Sequence, residues 1–584
     1  MHMCGIVGYK GYQDASMVVD ALRCLEYRGY DSWGIATIDI KKIRVFKQEG
    51  KIGNVTVKDI GKGSGITIGH TRWATHGAVS VQNAHPILSQ DNKIAVAHNG
   101  IIENYTQLRR DLEKHGISFQ TQTDTEVIPN LIQLYMTFGD DFATATRKAI
   151  LRLEGSYAIV AIHQDFDELF VARNGSPLVL GISGNEYFAA SDVTAFLDKT
   201  RTAVYLEDGE YAVIGSDLCV KKIVSNVVVN PLIQEITWDL AQASKAGYPH
   251  FMIKEILEQP QSIGRSLLQD ATSLSEALGI LKHGTKIYMV ACGSSLFAAE
   301  VGKYWFSQIA QQNVETIVAS EFENFGDLLK DGDVIISLSQ SGETADTIGA
   351  VKLAKKKGVR VVSIINSMGS TLSRISDATL SMNCGPEICV LSTKSFTAEL
   401  GVLNMLIHTL AGSDNNVRSV IPIIETAVLR NSAVIADLAL ALREKKDMFV
   451  LGRGVAFPCA SEGALKIKEV SYIHAEGFCG GELKHGSIAL IEKGSVAIAL
   501  VTPNTRRHIQ SNCMEIRCRG GIIIAIDSEP SEAYDHLIQI PQISEELYPF
   551  VVVILLQLFS YRLAVARDCD PDKPRNLAKS VTVK

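Results

Sequence analysis

No CxxC pair and no cysteine-dense segment occurs in the chain; its eleven cysteines are scattered at positions 4, 24, 219, 292, 384, 389, 459, 479, 513, 518 and 569. That spacing argues against a zinc site or a disulfide framework and for reduced thiols in a cytoplasmic compartment. No cluster of Lys and Arg stands out, and the formal net charge is -7. Nucleic acid is bound by concentrated positive charge, so a nucleic-acid partner is disfavoured. The first twenty residues lack a cationic start followed by an apolar core, so no secretory signal is expected. Long hydrophobic runs are missing too. The most apolar stretch, Phe550 to Phe559, is about half of what spans a bilayer and contains Gln557, so it reads as a buried core element and no membrane partner is expected.

What the chain does have is material for several cores. Its 584 residues, at about 100 to 200 per domain, predict three or four domains. From Cys4 to about Ile236, alternating runs such as ITIGHTRW, KIAVAHNG and SYAIVAIH predict antiparallel sheets with helices between them. Residues 237–266 are polar, contain Gly247, Pro249 and Pro260, and read as a linker with a helical piece. Beyond it KIYMVACGSS, DVIISLSQSGETADT and GVRVVSIIN each run strand, turn, helix, the pattern of a parallel sheet covered on both faces. DMFVLGRG and SVAIALVTPN repeat the layout, so two duplicated α/β domains are expected, 267–425 and 426–566, with a tail from 567 to 584. The second copy replaces the Ser/Thr-rich loop, so one half is expected to bind ligand through that loop and the other to contribute different chemistry.

SLSQSGET, Ser337 to Thr344, follows a buried strand and opens a helix, which aims free backbone N–H groups and the positive helix end at one point. Ser339, Gln340, Ser341 and Thr344 add donors there, and Ser295 in the first glycine turn can close the same pocket. A phosphate monoester fits; without a lysine or GxxxxGK[ST] spacing, a nucleoside triphosphate with magnesium fits less well. A serine-rich helix cap is the competing reading. Glu462, Lys466 and Glu469 share one helical face, either as proton-transfer groups or as an exposed salt-bridge ladder, the commoner use of that spacing. Lys579 stands among small residues in the tail PRNLAKSVTVK, a segment usually solvated; a desolvated lysine there could form a Schiff base with a carbonyl.

These residues fall in motifs, CGIVG, LEYRGYDS, GHTRWATHG, AHNGIIENY, CGSS, SLSQSGET, STKSF, EGALKIKE, GELKHG and PRNLAKSVTV, whose order from Cys4 to the C-terminus resembles that of the glutamine–fructose-6-phosphate aminotransferase (isomerizing) family. The resemblance implies an α/β multidomain fold: an N-terminal-nucleophile αββα glutaminase domain, residues 4–236, joined to two sugar isomerase (SIS) domains. It implies conversion of D-fructose 6-phosphate and L-glutamine to D-glucosamine 6-phosphate and L-glutamate by a homodimer, with no metal or organic cofactor. Cys4 matches the nucleophile, whose own α-amine serves as base. Asn99 and Gly100 match the oxyanion hole, Arg72 and Asp124 the groups that hold glutamine, with Thr75 and His76 beside them, and Trp73 the gate of an ammonia channel. Ser295, Ser339, Gln340, Ser341, Thr344, Val390 and Ser392 match the sugar-phosphate pocket. Glu469 matches the acid/base of isomerisation, His485 a ring-opening group supplied by the neighbouring subunit, and Lys579 the Schiff-base lysine.

The chain departs from the family pattern at Trp33, where a small residue is usual, and at Ser487, where proline is common; Trp33 bears on packing beneath the glutamine site. Met1-His2 stands ahead of Met3 and is left out of the fold reading. With Met3 attached the Cys4 nitrogen is an amide and no base, so glutaminase activity is expected only after processing to Cys4. A phosphoribosyl amidotransferase would need an acidic, hydroxyl-rich phosphoribosyl loop, and a SIS-type sugar-phosphate sensor a helix-turn-helix with a basic face. Neither pattern is present in the sequence.

Overall fold

A computed structural model describes residues 4–581 apart from 27–28, 54, 56, 62, 64, 74–75, 232, 237–244 and 368. The chain forms two compact units, one of residues 1–243 with 578–584, the other of residues 244–577.

The first unit is two stacked antiparallel sheets between helices. One sheet has eight strands, in the order Ile233–Glu235, Thr202–Tyr205, Val179–Ser183, Glu186–Ala190, Gly5–Lys10, Ile66–Arg72, Ser32–Asp39, Lys42–Glu49. The other has six: Leu218–Lys222, Glu210–Ile214, Leu169–Asn174, Gly155–His163, Ile94–Ile102, Ile87–Leu88. Strand alternation divides the side chains between layers. Ile6, Ala36, Ile68, Ala95 and Ala97 face the inter-sheet core. Val7, Tyr9, Trp33 and Ile35 face the opposite way, into the layer shared with helix Ser16–Leu25. Ile94 and Val96 face the helices of the second sheet. Helix Ser16–Leu25 buries Met17, Val18, Ala21, Leu22 and Leu25 at helical spacing. Gly69 lets it close: a Cβ there would lie 2.6 Å from Val18 and 2.8 Å from Leu22. Trp33 is fully buried in this outer layer, its ring centroid 5.4 Å from that of Phe46.

The second unit holds two five-stranded parallel sheets of one topology. The first runs Val314–Val318, Ile287–Ala291, Val334–Ser339, Arg360–Ile365, Ala378–Ser381; the second runs His474–Cys479, Asp447–Gly452, Val496–Leu500, Ile522–Asp527, His536–Gln539. In chain order each is 2-1-3-4-5, so the expected duplication is present in the topology. The apolar run at 550–559 lies inside helix Tyr548–Ala566, which is apolar all round and buried in a core drawing on both halves.

The expected linker takes a different form. Residues 237–244 lie outside the described residues, but Phe251–Leu257 and Gln259–Ser266 are helices whose Met252, Ile256 and Ile263 belong to the second unit's core. Their polar residues are used internally: Glu255 accepts from the backbone N–H groups of Ile388 and Cys389, and Lys394 Nζ lies 2.8 Å from Glu258. A segment that buries its charges in pairs has the composition of a solvated one.

Candidate active sites

Cys4 sits just ahead of strand Gly5–Lys10. That strand pairs with Ile66–Arg72, Gly5 opposite Thr71 and Ile6 opposite His70, which carries Cys4 to the loop after Arg72. Its Sγ accepts from the Trp73 N–H at 3.1 Å and donates to the Trp73 carbonyl at 3.5 Å. Burial pushes the thiol up to about 11, against the Trp73 N–H and the Arg72 charge, which pull it down; Asp31 and Asp124 raise it further.

Strand Ile94–Ile102 of the other sheet brings Asn99 and Gly100 to the same place, and Asn99 Nδ2 donates to the Cys4 carbonyl at 2.8 Å. Gly100 has φ +117°, and a Cβ there would lie 2.0 Å from the Ser156 carbonyl oxygen, so only glycine fits. Beneath Asn99 lie three buried imidazoles, with His70 Nε2 3.0 Å from Asn99 Oδ1 and the His70 and His85 rings 4.3 Å apart. His98 Nδ1 lies 2.9 Å from Thr125 Oγ1. Burial lowers the basicity of all three, His70 to about 3, so they are neutral at physiological pH. No motif reading marked His70, although it stands inside GHTRW.

Arg72, 3% exposed, curls the following loop around its guanidinium by donating to the carbonyls of His76 at 2.5 Å and of Gly77 and Ala78 at 3.3 Å. Asp124, 4% exposed, accepts from Ile102 N at 2.8 Å. The Trp73 ring stands edge-on to Tyr30 and that of His76 edge-on to Tyr105. Thr75 lies outside the described residues. Cys4, Arg72, Trp73, Asn99, Gly100 and Asp124 therefore converge: a thiol, a fixed amide, a guanidinium and a carboxylate suited to an amino-acid amide.

In the second unit the crevice between Ile287–Ala291 and Val334–Ser339 is the switch point of the first parallel sheet, where successive connections leave in opposite directions. Ser295 and the Ser339–Thr344 loop stand at the carboxyl ends of these two strands. Ser339 Oγ accepts from Gly342 N at 3.0 Å and lies 3.1 Å from Thr344 Oγ1; Ser341 Oγ accepts from Glu343 N. The Gln340 carbonyl accepts from the N–H groups of Asn366 and Ser367. Gly342, at φ +64°, has no room for a side chain beside Ser370. Val390 N donates to the Asp572 carbonyl, and Ser392 Oγ lies 2.6 Å from Ser395 Oγ, which donates to the buried Glu387.

Helix Ala456–Ser471 of the second half faces this crevice with charge. Lys466 Nζ lies 2.7 Å from Glu469, 3.4 Å from Glu462, and donates to Ser294 Oγ at 3.0 Å. Lys466 is 1% exposed and Glu462 0%, so the spacing is a buried charged cluster and not the exposed ladder. Burial pushes Glu462 up to about 7, against the Lys466 charge.

His485, itself exposed, ends the turn Gly480–His485 beside the second sheet, and Lys579, half-buried, groups with the first unit. The switch point of the second sheet has its own occupant: Glu545 accepts from Asn504 N at 3.2 Å.

A family model described as a glutamine amidotransferase domain matches residues 70–198, and one described as a SIS domain matches 280–409 and 441–567. Fold and sites thus define the class, a glutamine amidotransferase domain joined to two SIS domains. The chain is 44% identical, over the full length of both proteins, to glutamine–fructose-6-phosphate aminotransferase (isomerizing) of Thermococcus kodakarensis, and equally so to that of Pyrococcus horikoshii. A solved C-terminal domain of glucosamine-fructose-6-phosphate aminotransferase from Francisella tularensis superposes with a TM-score of 0.52 at 33% identity, covering 56% of this chain and 99% of that one. The chain belongs to the glutamine–fructose-6-phosphate aminotransferase (isomerizing) family.

Proposed function

We propose that the chain hydrolyses L-glutamine at Cys4 and delivers the ammonia to D-fructose 6-phosphate, giving L-glutamate and D-glucosamine 6-phosphate. The observation that carries this is the presence on one chain of a thiol beside a fixed amide donor and a hydroxyl-rich anion loop beside a buried carboxylate–lysine cluster. In the first unit Arg72 takes the α-carboxylate of glutamine and Asp124 its α-amine, with Thr75 and His76 alongside. The α-amine of a processed Cys4 takes the thiol proton, sulfur attacks the carboxamide carbon, and Asn99 Nδ2 and Gly100 N–H receive the developing oxyanion. The C–N bond breaks with a proton passed to nitrogen, and water cleaves the thioester. Trp73 borders the path by which ammonia leaves.

In the second unit Ser295, Ser339, Gln340, Ser341 and Thr344 receive the phosphate, with Val390 and Ser392 along the sugar. Lys579 condenses with the C2 carbonyl of the open-chain ketose, releasing water; ammonia displaces the lysine, and Glu469 takes a proton from C1 and returns it to C2. His485 assists ring opening. Its exposure on a single chain fits delivery to the sugar of a second copy, so the working form is a homodimer, and the scattered thiols fit a cytoplasmic protein. The same reading divides the chain into a glutaminase domain at 4–236 and SIS domains at 267–425 and 426–566. Protein trimmed to Cys4, given both substrates, is expected to release glutamate and glucosamine 6-phosphate in equal amounts; glutamate with no amino sugar, or neither product, overturns the reading.

A further inference from the structure

Glu399, on helix Lys394–Ala411, is fully buried, and none of the sequence motifs gave it a role. Its Oε1 lies 2.6 Å from Ser295 Oγ, while Oε2 is buried with no hydrogen-bond partner. Ser295 is half-buried and stands at the switch-point crevice, so a carboxyl with no access to water is one bond from the proposed anion seat. The charged groups around it are Glu387, from the loop ahead of its helix, and Glu462 and Lys466, from helix Ala456–Ser471. Helix Gly293–Gln308 presents Ser295 to it, and helix Gln259–Ser266 carries the neutral Gln259, bonded to Thr397.

We propose that Glu399 is a positioning residue of the sugar-phosphate site: as the acid it donates to Ser295 and leaves the serine proton for the phosphate, and as the carboxylate it takes that proton back. A hydroxyl has one proton, so Ser295 cannot donate to both a carboxylate and an anion. The ionised form also sets a negative charge one hydroxyl away from the phosphate, where little solvent screens it. Burial holds the Glu399 carboxyl up to about 8; the Ser295 bond and Lys466 pull it down, and the Glu387 and Glu462 charges raise it. At neutral pH Glu399 is therefore the acid, and binding of a phosphate dianion holds its proton more tightly. Affinity for the ligand accordingly falls as pH rises through about 8. The phosphate itself, with a second ionisation near pH 6, is already a dianion there.

This rests on the reading of Ser295 and Ser339 as the phosphate seat. The test is calorimetric titration of the full chain with D-glucitol 6-phosphate, which has no carbonyl and forms no Schiff base. In the wild type the dissociation constant is expected to rise about five- to tenfold from pH 7 to pH 9, one unit of coupling being about tenfold. In Glu399→Gln, which keeps the bond to Ser295 but does not ionise, it is expected to change less than about twofold. Ser295→Ala, which cuts the relay without touching the carboxyl, should flatten the profile in part, leaving only the charge of the ionised Glu399. Identical profiles in wild type and Glu399→Gln overturn this inference and leave the phosphate seat standing. Absence of binding by the wild type at pH 7 overturns the seat and the inference together.

Discussion

His70 Nε2 lies 3.0 Å from Asn99 Oδ1 and 3.1 Å from the His98 carbonyl oxygen. Both partners accept, because Asn99 spends its Nδ2 on the Cys4 carbonyl, so Nε2 must carry the imidazole proton. The bond holds the amide with its NH2 towards Cys4. Losing it leaves Asn99 free to turn its oxygen to a developing oxyanion. His70→Leu is expected to lower kcat for glutamine hydrolysis about 10²-fold, the size of one lost oxyanion donor, with KM little changed. His70→Gln, which can still donate, should recover most of it. Steady-state glutamate release by the three proteins measures this, and an unimpaired His70→Leu enzyme would refute it.

With Met3 attached, the Cys4 thiol is held at about 11 and its own nitrogen is an amide. A thiol four units above neutral pH is about 10⁻⁴ ionised, and among the described residues the hydrogen bonds of Sγ go to the Trp73 backbone, not to a base. Protein retaining Met3 is expected to hydrolyse glutamine at least about 10²-fold more slowly than protein trimmed to Cys4, the contribution of a positioned base. Both forms should bind sugar phosphate equally. Intact mass paired with glutamate release checks it, and full hydrolysis by the untrimmed chain would sink it.

Much of this was legible in the sequence, and the parts that were not share a cause. The strand pattern gave both sheet types, and the Ser337–Thr344 loop was marked by its hydroxyls between a buried strand and a helix, whereas Cys4 and Asn99 were marked only through the resemblance of their motifs to the family. Burial of charge left no such mark. Glu462, Lys466 and Glu469 have the spacing of a solvated ladder, and only the packing of their helix shows Glu462 and Lys466 sealed and Glu469 half-buried. Glu255 and Gln259 made two core helices read as a linker, because a polar residue satisfied inside looks the same in sequence as one satisfied by water. Glu399 stands in a run of small and apolar residues, where its partner Ser295, 104 positions away, is invisible.

Lys466 is the only cation within ion-pair distance of both Glu462 and Glu469 among the described residues. Lys466→Met strands the buried Glu462 and leaves the half-buried Glu469 without its cation, at a cost of about 3 to 5 kcal/mol. The pH dependence has a definite sign. Glu462 is raised to about 7 and Glu399 to about 8, above their ordinary values near 4.5, so between those limits the folded chain holds protons the unfolded chain has lost. Their contribution to stability is full below about 4.5 and drains away as pH rises to about 8. The Glu399→Gln melting temperature should therefore fall less than the wild type's from pH 5 to pH 8; a parallel fall would show that Glu399 does not titrate there.

The two parallel sheets share one topology, yet only one switch point is expected to take a sugar phosphate. In the second half the corresponding crevice receives Glu545, which accepts from Asn504 N at 3.2 Å and would lie 3.6 Å from a Cβ at Gly454. The first residue of the following helix, Arg506, is also committed: it donates to Asp527 and Ser528 at 2.7 Å and pairs with Glu529. A carboxylate of the chain thus sits where the other half presents hydroxyls, and an incoming phosphate would meet like charge. Binding of D-fructose 6-phosphate is expected to saturate at one equivalent per chain. Ser339→Ala should weaken that equivalent about tenfold or more, the worth of a hydrogen bond to a charged group, and expose no second one. Two equivalents in the wild type, or an undiminished one in Ser339→Ala, would place the phosphate in the second half and reverse the roles given to the two sheets.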